Sequence, residues 1–321
     1  MKLASVKIKD TIVLALDYSD THLLLLENIY ADMQALIADA AYAQEAIKKR
    51  IASIASDSEL IVDKSEIEWM PPLLNPGKVC GVAMNNSASN SRKIKAPDHP
   101  AFFLKPSSCL IGHKQDLEIR SYYGSVHPEP ELAVVIGRQC RDCLPEDAMN
   151  KVFGYSIFDD ITGNGMRAED LFHYYALYPN KDDADKIEKV EQHLSYATRY
   201  KGTDNFGILG PWIVTADEID DPDNLNVSCS INGEAIARDN TKYYNYKVAE
   251  IISFLSKFLT LNPGDVVSMG TAFKPGSTRK SIHHANLQKV SGPIEVCIEG
   301  LGRQETPVSL VEKKLGRWKL K

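Results

Sequence analysis

Apolar and polar residues alternate from Val6 to Tyr18, with β-branched side chains among them, which predicts a strand or a hairpin. From Ala31 to Ala55 the apolar positions shift to helical spacing (Leu36, Ile37, Ala40, Ala41), closing near the basic turn Lys48-Lys49-Arg50. Leu60 to Trp69 returns to a strand-like pattern. Met70-Pro71-Pro72-Leu73-Leu74-Asn75-Pro76-Gly77 then breaks the chain. Beyond the break, short apolar runs recur: 79–83, 101–104, 132–136, 212–214 and 265–268, separated by turns such as Asn232-Gly233 and Asn262-Pro263-Gly264-Asp265. Two stretches read as helices, a highly charged one from Asp182 to Tyr200 and an amphipathic one from Val248 to Phe258. The pattern predicts an α+β protein, a small α/β N-terminal domain at residues 1–72 before a β-rich domain at 73–321.

Composition narrows the classes. The 321 residues are 44% hydrophobic and 25% charged, an ordinary globular balance with enough chain for a large core. A formal net charge of −6 lacks the basic footprint that phosphate neutralisation requires, so no nucleic-acid partner is expected. Leu23-Leu24-Leu25-Leu26 is too short to span a bilayer, so no membrane association is expected. The opening residues carry charges where a signal peptide needs an apolar core, which points to a cytoplasmic protein. Six scattered cysteines then read as free thiols. Cys140 and Cys143 form a single C-x-x-C in a polar segment with no second pair for zinc.

Four stretches could carry chemistry. His127-Pro128-Glu129-Pro130-Glu131 runs into an apolar strand, and residues two apart on a strand share a face. Glu129 and Glu131 would then stand side by side, an arrangement that a divalent cation with oxygen ligands relieves. The same spacing also suits two solvated glutamates at a strand end. Gly154 to Asp160 is a second apolar strand, ending in adjacent aspartates before the Gly-rich turn 163–165. Such a terminus suits metal ligation and helix capping equally. The third stretch runs from Lys201 to Trp212. The fourth runs from Pro263 to Thr271, where the Gly270-Thr271 end can offer an N–H and a hydroxyl to an anion.

In order along the chain, Lys78 onward, Phe103-Leu104-Lys105-Pro106, H-x-E-x-E, G-Y-x-x-x-x-D, K-x-x-D-x-F with L-G-P-W, L-x-P-G-D-V with G-T, and Ile298-Glu299-Gly300-Leu301-Gly302 compose a signature. Together, from Lys78 to Val308, they resemble the fumarylacetoacetate hydrolase family. The resemblance implies a mixed β-sandwich roll preceded by a small N-terminal domain, usually as a homodimer. It implies Mg²⁺ or Mn²⁺ held by Glu129, Glu131 and Asp160, with Asp159 as a neighbour only. Lys201 corresponds to the family lysine near the substrate oxygens, and Gly270 and Thr271 to the turn at the substrate's carboxylate end. The catalytic set is thus expected to be Lys201, Glu131 and Thr271. The substrate is expected to be a small 2-oxo acid or β-diketone. The expected reaction is hydrolysis of a C–C bond in an acylpyruvate-type compound, through an enolate whose charge the divalent ion stabilises.

The chain departs from the family pattern in three places. Where family hydrolases carry N-Y-x-x-H-x-x-E, with the His and Glu activating water, this chain keeps Asn85 but has Asn86, Ser89 and Arg92. After the metal aspartate, the usual S-A-R-D gives way to Thr162-Gly163-Asn164-Gly165, placing Asn164 where an arginine binds substrate, with Arg167 nearby as a substitute. That G-N resembles the branch that dehydrates 2-keto-3-deoxy sugar acids. Isomerisation or decarboxylation of 2-oxo acids on the same site is a further alternative, as is a non-catalytic metal-binding homologue. Asn85, Ser89, Asn164, Arg167, Gly270 and Thr271 form the expected substrate-binding set. Third, Leu171 to Tyr200 is an insertion rich in His and Tyr, readable as a lid or as a dimer contact. Arg279, Lys280, His283 and His284 lie in another insertion that could supply a base or receive an anion, and the resemblance puts His113 and Lys105 near the substrate cavity.

Overall fold

A computed structural model of the chain describes residues 1–55, 58–275, 285–290 and 292–312. Its architecture is strand-rich α+β. The alternating start folds as the antiparallel hairpin Lys2–Ile8 with Thr11–Asp17. The Ala-rich stretch makes two helices, Met33–Ala38 and Ala40–Ser53, and Asp32 caps the first by accepting from Ala35 N at 2.8 Å. The amphipathic stretch near 250 is the helix Val248–Ser256. Among the described residues, no helix is long and apolar enough to cross a membrane.

One sheet of thirteen strands organises the described residues, and a second, four-stranded antiparallel sheet packs on it. At its centre lies Pro130–Ile136, paired antiparallel to Val152–Asp160 on one side and to Val266–Thr271 on the other. Val266–Thr271 continues the sheet in parallel to Val79–Ala83, which pairs with Ala101–Lys105 at the edge. On the opposite side, Lys2–Ile8 hydrogen-bonds to Ile213–Thr215, so the first residues of the chain extend the same sheet.

All seven residues of Pro130–Ile136 are buried, and strand alternation divides them between two cores. Leu132, Val134 and Ile136 face the second sheet, with Val227, Cys229, Ile231 and Val296. Ala133 and Val135 face the N-terminal helices, with Leu36, Ile37, Ala43 and Ile47. A large aliphatic side chain contributes about 1.5–3 kcal/mol on full burial. Apolar packing on both faces therefore draws the whole strand inside, and Glu131 is carried in with it.

The charged stretch 182–200 is not a helix. Ile187–Leu194 is a strand, paired over its full length with Phe172–Pro179, and helix resumes only at Thr198–Gly202. Ile187, Val190 and Leu194 fall at helical spacing, which explains the expectation. The β-prone partner Phe172-His173-Tyr174-Tyr175 overrides it through cross-strand pairing. Asn180 sets the turn by accepting from Asp182 N at 2.9 Å and Asp183 N at 3.2 Å. Cys140 and Cys143 are buried free thiols in a loop.

Gly154 allows the close approach of two strands at the centre of the sheet. A Cβ there would lie 2.2 Å from the Val214 carbonyl oxygen and 2.9 Å from Ile213 Cγ2. Gly154→Ala should therefore destabilise the fold by about 1–3 kcal/mol, read as a lower urea midpoint at unchanged slope; an unchanged midpoint would show that the strands can separate there without cost.

Candidate active site

Three strand ends and one short helix bring the site together. Glu129 precedes the central strand, Glu131 lies on it, and Asp159 and Asp160 end the neighbouring strand. Lys105 ends the edge strand Ala101–Lys105, and Lys201 lies on the helix Thr198–Gly202. Lys201 Nζ donates to Asp160 Oδ2 at 2.5 Å and to Glu129 Oε1 at 3.0 Å. From the other side, Lys105 Nζ donates to Asp160 Oδ1 at 2.5 Å, to the Phe206 carbonyl at 2.9 Å and to the carbonyl of Lys201. Asp160 is thus gripped by two ammonium groups.

Each glutamate has its own support. Glu129 Oε1 accepts from Thr162 Oγ1 at 2.5 Å and lies 3.3 Å from His127 Nε2. The Asn164 amide nitrogen, 3.0 Å from His127 Nδ1, makes that ring nitrogen the acceptor and directs the ring proton on Nε2 toward Glu129. Glu131 Oε2 accepts from Ser268 Oγ at 2.5 Å and from Gly270 N at 2.9 Å. Gly270 adopts φ of +85°, and a Cβ there would lie 2.8 Å from the Val82 carbonyl oxygen, so glycine is what lets this N–H reach the carboxylate. Thr271 stands opposite Glu131 in the ladder.

The charges respond to this crowding. Burial alone would push the Glu129 carboxyl up, but Lys201, His127 and Thr162 hold it well below the ordinary range. Burial, and then the neighbouring Asp160, push Glu131 well above it. Asp159 is pushed up to about 8, chiefly by burial, although it accepts from Glu129 N at 2.8 Å. Its Oδ2 has no hydrogen-bond partner among the described residues. Burial disfavours the Lys201 ammonium, yet Asp160, Glu129 and Glu131 together raise its pKa.

Glu129, Glu131 and Asp160 offer an all-oxygen donor set suited to a hard divalent ion. Like-charge crowding at Glu131 is the condition that such an ion relieves, so the residues fit Mg²⁺ or Mn²⁺. Among the described residues, the donor trio with all its atoms within 4.8 Å is a different one, His173, Glu191 and His193. In the carboxylate cluster, the Lys201 ammonium stands between Glu129 and Asp160.

The remaining expected residues occupy varied positions. Asn85 uses its amide on backbone, donating to the Tyr246 and Met269 carbonyls at 3.1 and 3.0 Å and accepting from Tyr246 N at 2.9 Å. Ser89 is buried; its hydroxyl donates to Asn86 Oδ1 and accepts from Arg92 Nη2, both at 2.8 Å. Arg167 lies over the Tyr200 ring, 5.8 Å from its centre. His113 packs edge-on against Trp69 and accepts from Glu305 N at 2.9 Å, and burial pushes its pKa down to about 4. Arg279, Lys280, His283 and His284 lie outside the described residues. Sequence reasoning singled out neither Thr162 nor Ser268 and gave Lys105 no partner. Only Lys105 carried a signal, as a lysine that the resemblance puts near the substrate cavity.

The chain is similar to known proteins. Residues 78–309 match the family model described as fumarylacetoacetate hydrolase C-terminal. A mitochondrial oxaloacetate tautomerase of Xenopus laevis is 30% identical over 80% of this chain and 73% of its own. A 2,4-didehydro-3-deoxy-L-rhamnonate hydrolase of a Sphingomonas species is 28% identical over 79% of this chain and 81% of its own. Among solved structures, a Sphingobium maleylpyruvate hydrolase in complex with manganese(II) and pyruvate superposes with a TM-score of 0.72 at 22% identity, covering 97% of this chain and all (100%) of that one.

Asp159 yields a test of the buried charge. Its raised pKa means that the folded state binds the proton more tightly than the unfolded chain. Stability from this group is therefore complete below the unfolded value, about 4, and is lost as pH rises toward about 8. Asp159→Asn removes that loss, so in chelator its stability relative to the wild type should grow from pH 5 to pH 8. A constant difference by urea denaturation would mean that Asp159 ionises normally.

Proposed function

The chain belongs to the fumarylacetoacetate hydrolase family, and on that premise we propose that it is a divalent-metal-dependent enzyme that enolises a small 2-oxo acid or β-diketone. The reading is carried by one observation, the largely buried cluster in which the half-buried Glu129 and the buried Glu131 and Asp160 converge beside the Lys201 ammonium. Those three carboxylates would hold Mg²⁺ or Mn²⁺, which would supply Lewis-acid stabilisation of negative charge on a bound oxo acid or diketone. Lys201 would share the negative charge that builds on the substrate oxygens as the proton passes from carbon to a solvent water. His127, fixed by Asn164, keeps Glu129 oriented. Gly270 N holds Glu131, and Thr271 beside it offers its hydroxyl to the substrate's carboxylate end.

Positions 86, 89 and 92 favour enolisation over attack by water. Ser89 is tied between Asn86 and Arg92, and neither a serine hydroxyl nor a guanidinium is a base near neutral pH. The likeness to an oxaloacetate tautomerase supports the same choice. The likeness to a rhamnonate hydrolase supports a second reading, C–C hydrolysis from the same enolate. A homodimer belongs to the reading as well. Phe172, Tyr174 and Tyr178 alternate along one strand of the inserted hairpin and are exposed, a surface that a second copy would cover.

Proton NMR in D₂O, with a panel of 2-oxo dioic acids and acylpyruvates, tests the proposal. With Mg²⁺, the protons on the carbon next to the keto group should exchange at an enzyme-dependent rate, and excess EDTA should stop it. Glu131→Gln should abolish exchange, and Lys201→Met should slow it by about 10²–10³-fold while metal affinity stays near that of the wild type. Exchange that survives EDTA and Glu131→Gln overturns the metal assignment, whereas metal-dependent release of pyruvate selects the hydrolytic reading.

A further inference from the structure

The inserted hairpin carries a cluster that the carboxylate site does not use. His173 and His193 are direct cross-strand partners, and Tyr175 and Glu191 form the next pair on the same face. The two imidazole rings stack with centroids 4.2 Å apart and planes 7° from parallel. His173 Nε2 lies 2.5 Å from Glu191 Oε1, and one donor atom from each of the three residues falls within 4.8 Å of the others. All three side chains are exposed.

We propose that His173, Glu191 and His193 form a binding site for a divalent transition-metal ion of the Zn²⁺ class. Two imidazoles and one carboxylate are the donor set that Zn²⁺, Co²⁺, Ni²⁺ and Cu²⁺ prefer, whereas Mg²⁺ prefers oxygen alone and keeps its waters. Three protein ligands leave a position for water, which the exposed face supplies. Metal–ligand bonds of about 2.0–2.2 Å call for the donors to close in further, and rotation about exposed side-chain bonds provides that without backbone movement.

The position of the cluster gives the ion a structural consequence. A two-stranded ribbon is marginal by itself in water. This one is anchored at its root by Arg199, which reaches Asp170 Oδ2 and Glu169 Oε2, each at 2.9 Å. The histidine pair is the second rung from that root. An ion there joins the two strands just beyond the Arg199 clamp, on the segment that leads into the helix bearing Lys201. The chain would thus sort metals by hardness, oxygen-loving ions to the interior and imidazole-loving ions to the ribbon.

The test is a Co²⁺ titration of chelator-treated, dialysed protein in excess Mg²⁺, followed by visible d–d absorption and by calorimetry. One equivalent should bind in the wild type and equally in Glu131→Gln, which alters only the interior cluster. His173→Ala and His193→Ala should each weaken binding at least tenfold, and Glu191→Gln should weaken it measurably. Circular dichroism of these variants should match the wild type, since all three positions are exposed. Absence of Co²⁺ binding in excess Mg²⁺, or binding unchanged in the double variant His173→Ala/His193→Ala, overturns the site. So does binding that is lost in Glu131→Gln but retained in the histidine variants.

Discussion

Buried carboxylates are tolerated only where cations or hydrogen-bond donors meet them, and this fold brings three, with the half-buried Glu129 beside them, to one place. The compensation comes from two lysines far apart in sequence, Lys105 at the end of an edge strand and Lys201 on a short helix, both closing on Asp160. Removing one partner from such an arrangement costs about 3–5 kcal/mol, which is a large share of an ordinary domain's stability. Sheet order, the register that ends a strand at Asp160, and the helix following the hairpin all have to be right for these contacts to form. Lys105 also bonds the carbonyls of Lys201 and Phe206, so the same ammonium that neutralises the site fastens the helix to the sheet.

Much of this was readable in the chain. The hairpin at the start, the apolar central strand and the helix near residue 250 follow directly from period and punctuation. Glu129, Glu131, Asp160 and Lys201 come together, as the ordered motifs imply. What escaped notice depends on register between distant segments. Ser268 reaches Glu131 only because Val266–Thr271 pairs with the central strand in one particular alignment. Thr162 reaches Glu129 from the connection beyond Asp160, where a threonine carries no spacing signal. The misread helix at 182–200 has the same cause, since its strand state rests on partners eight to twenty-two residues away.

The supports of the two glutamates differ, and the difference bears on chemistry. Glu129 is held by a cation, an imidazole and a hydroxyl, and stays ionised. Glu131 is held by a hydroxyl and a backbone N–H, with Asp160 as a like-charged neighbour, and resists ionisation. Environments that push neighbouring carboxyls apart in acidity are a mark of sites that handle protons. Here they arise from elements that also form the sheet, so the electrostatics of the site and the assembly of the fold cannot be varied independently.

The central strand Pro130–Ile136 has a further implication. Its odd-numbered residues Ala133 and Val135 rest against Leu36, Ile37 and Ile47 of the N-terminal helices, on the strand that also bears Glu131. Residues 1–55 therefore include the back wall of the strand that bears Glu131. A homologue that exchanged this opening segment would inherit a strand with one face stripped, and with it a looser carboxylate. Transplanting the family's chemistry between scaffolds would thus require carrying the matching wall.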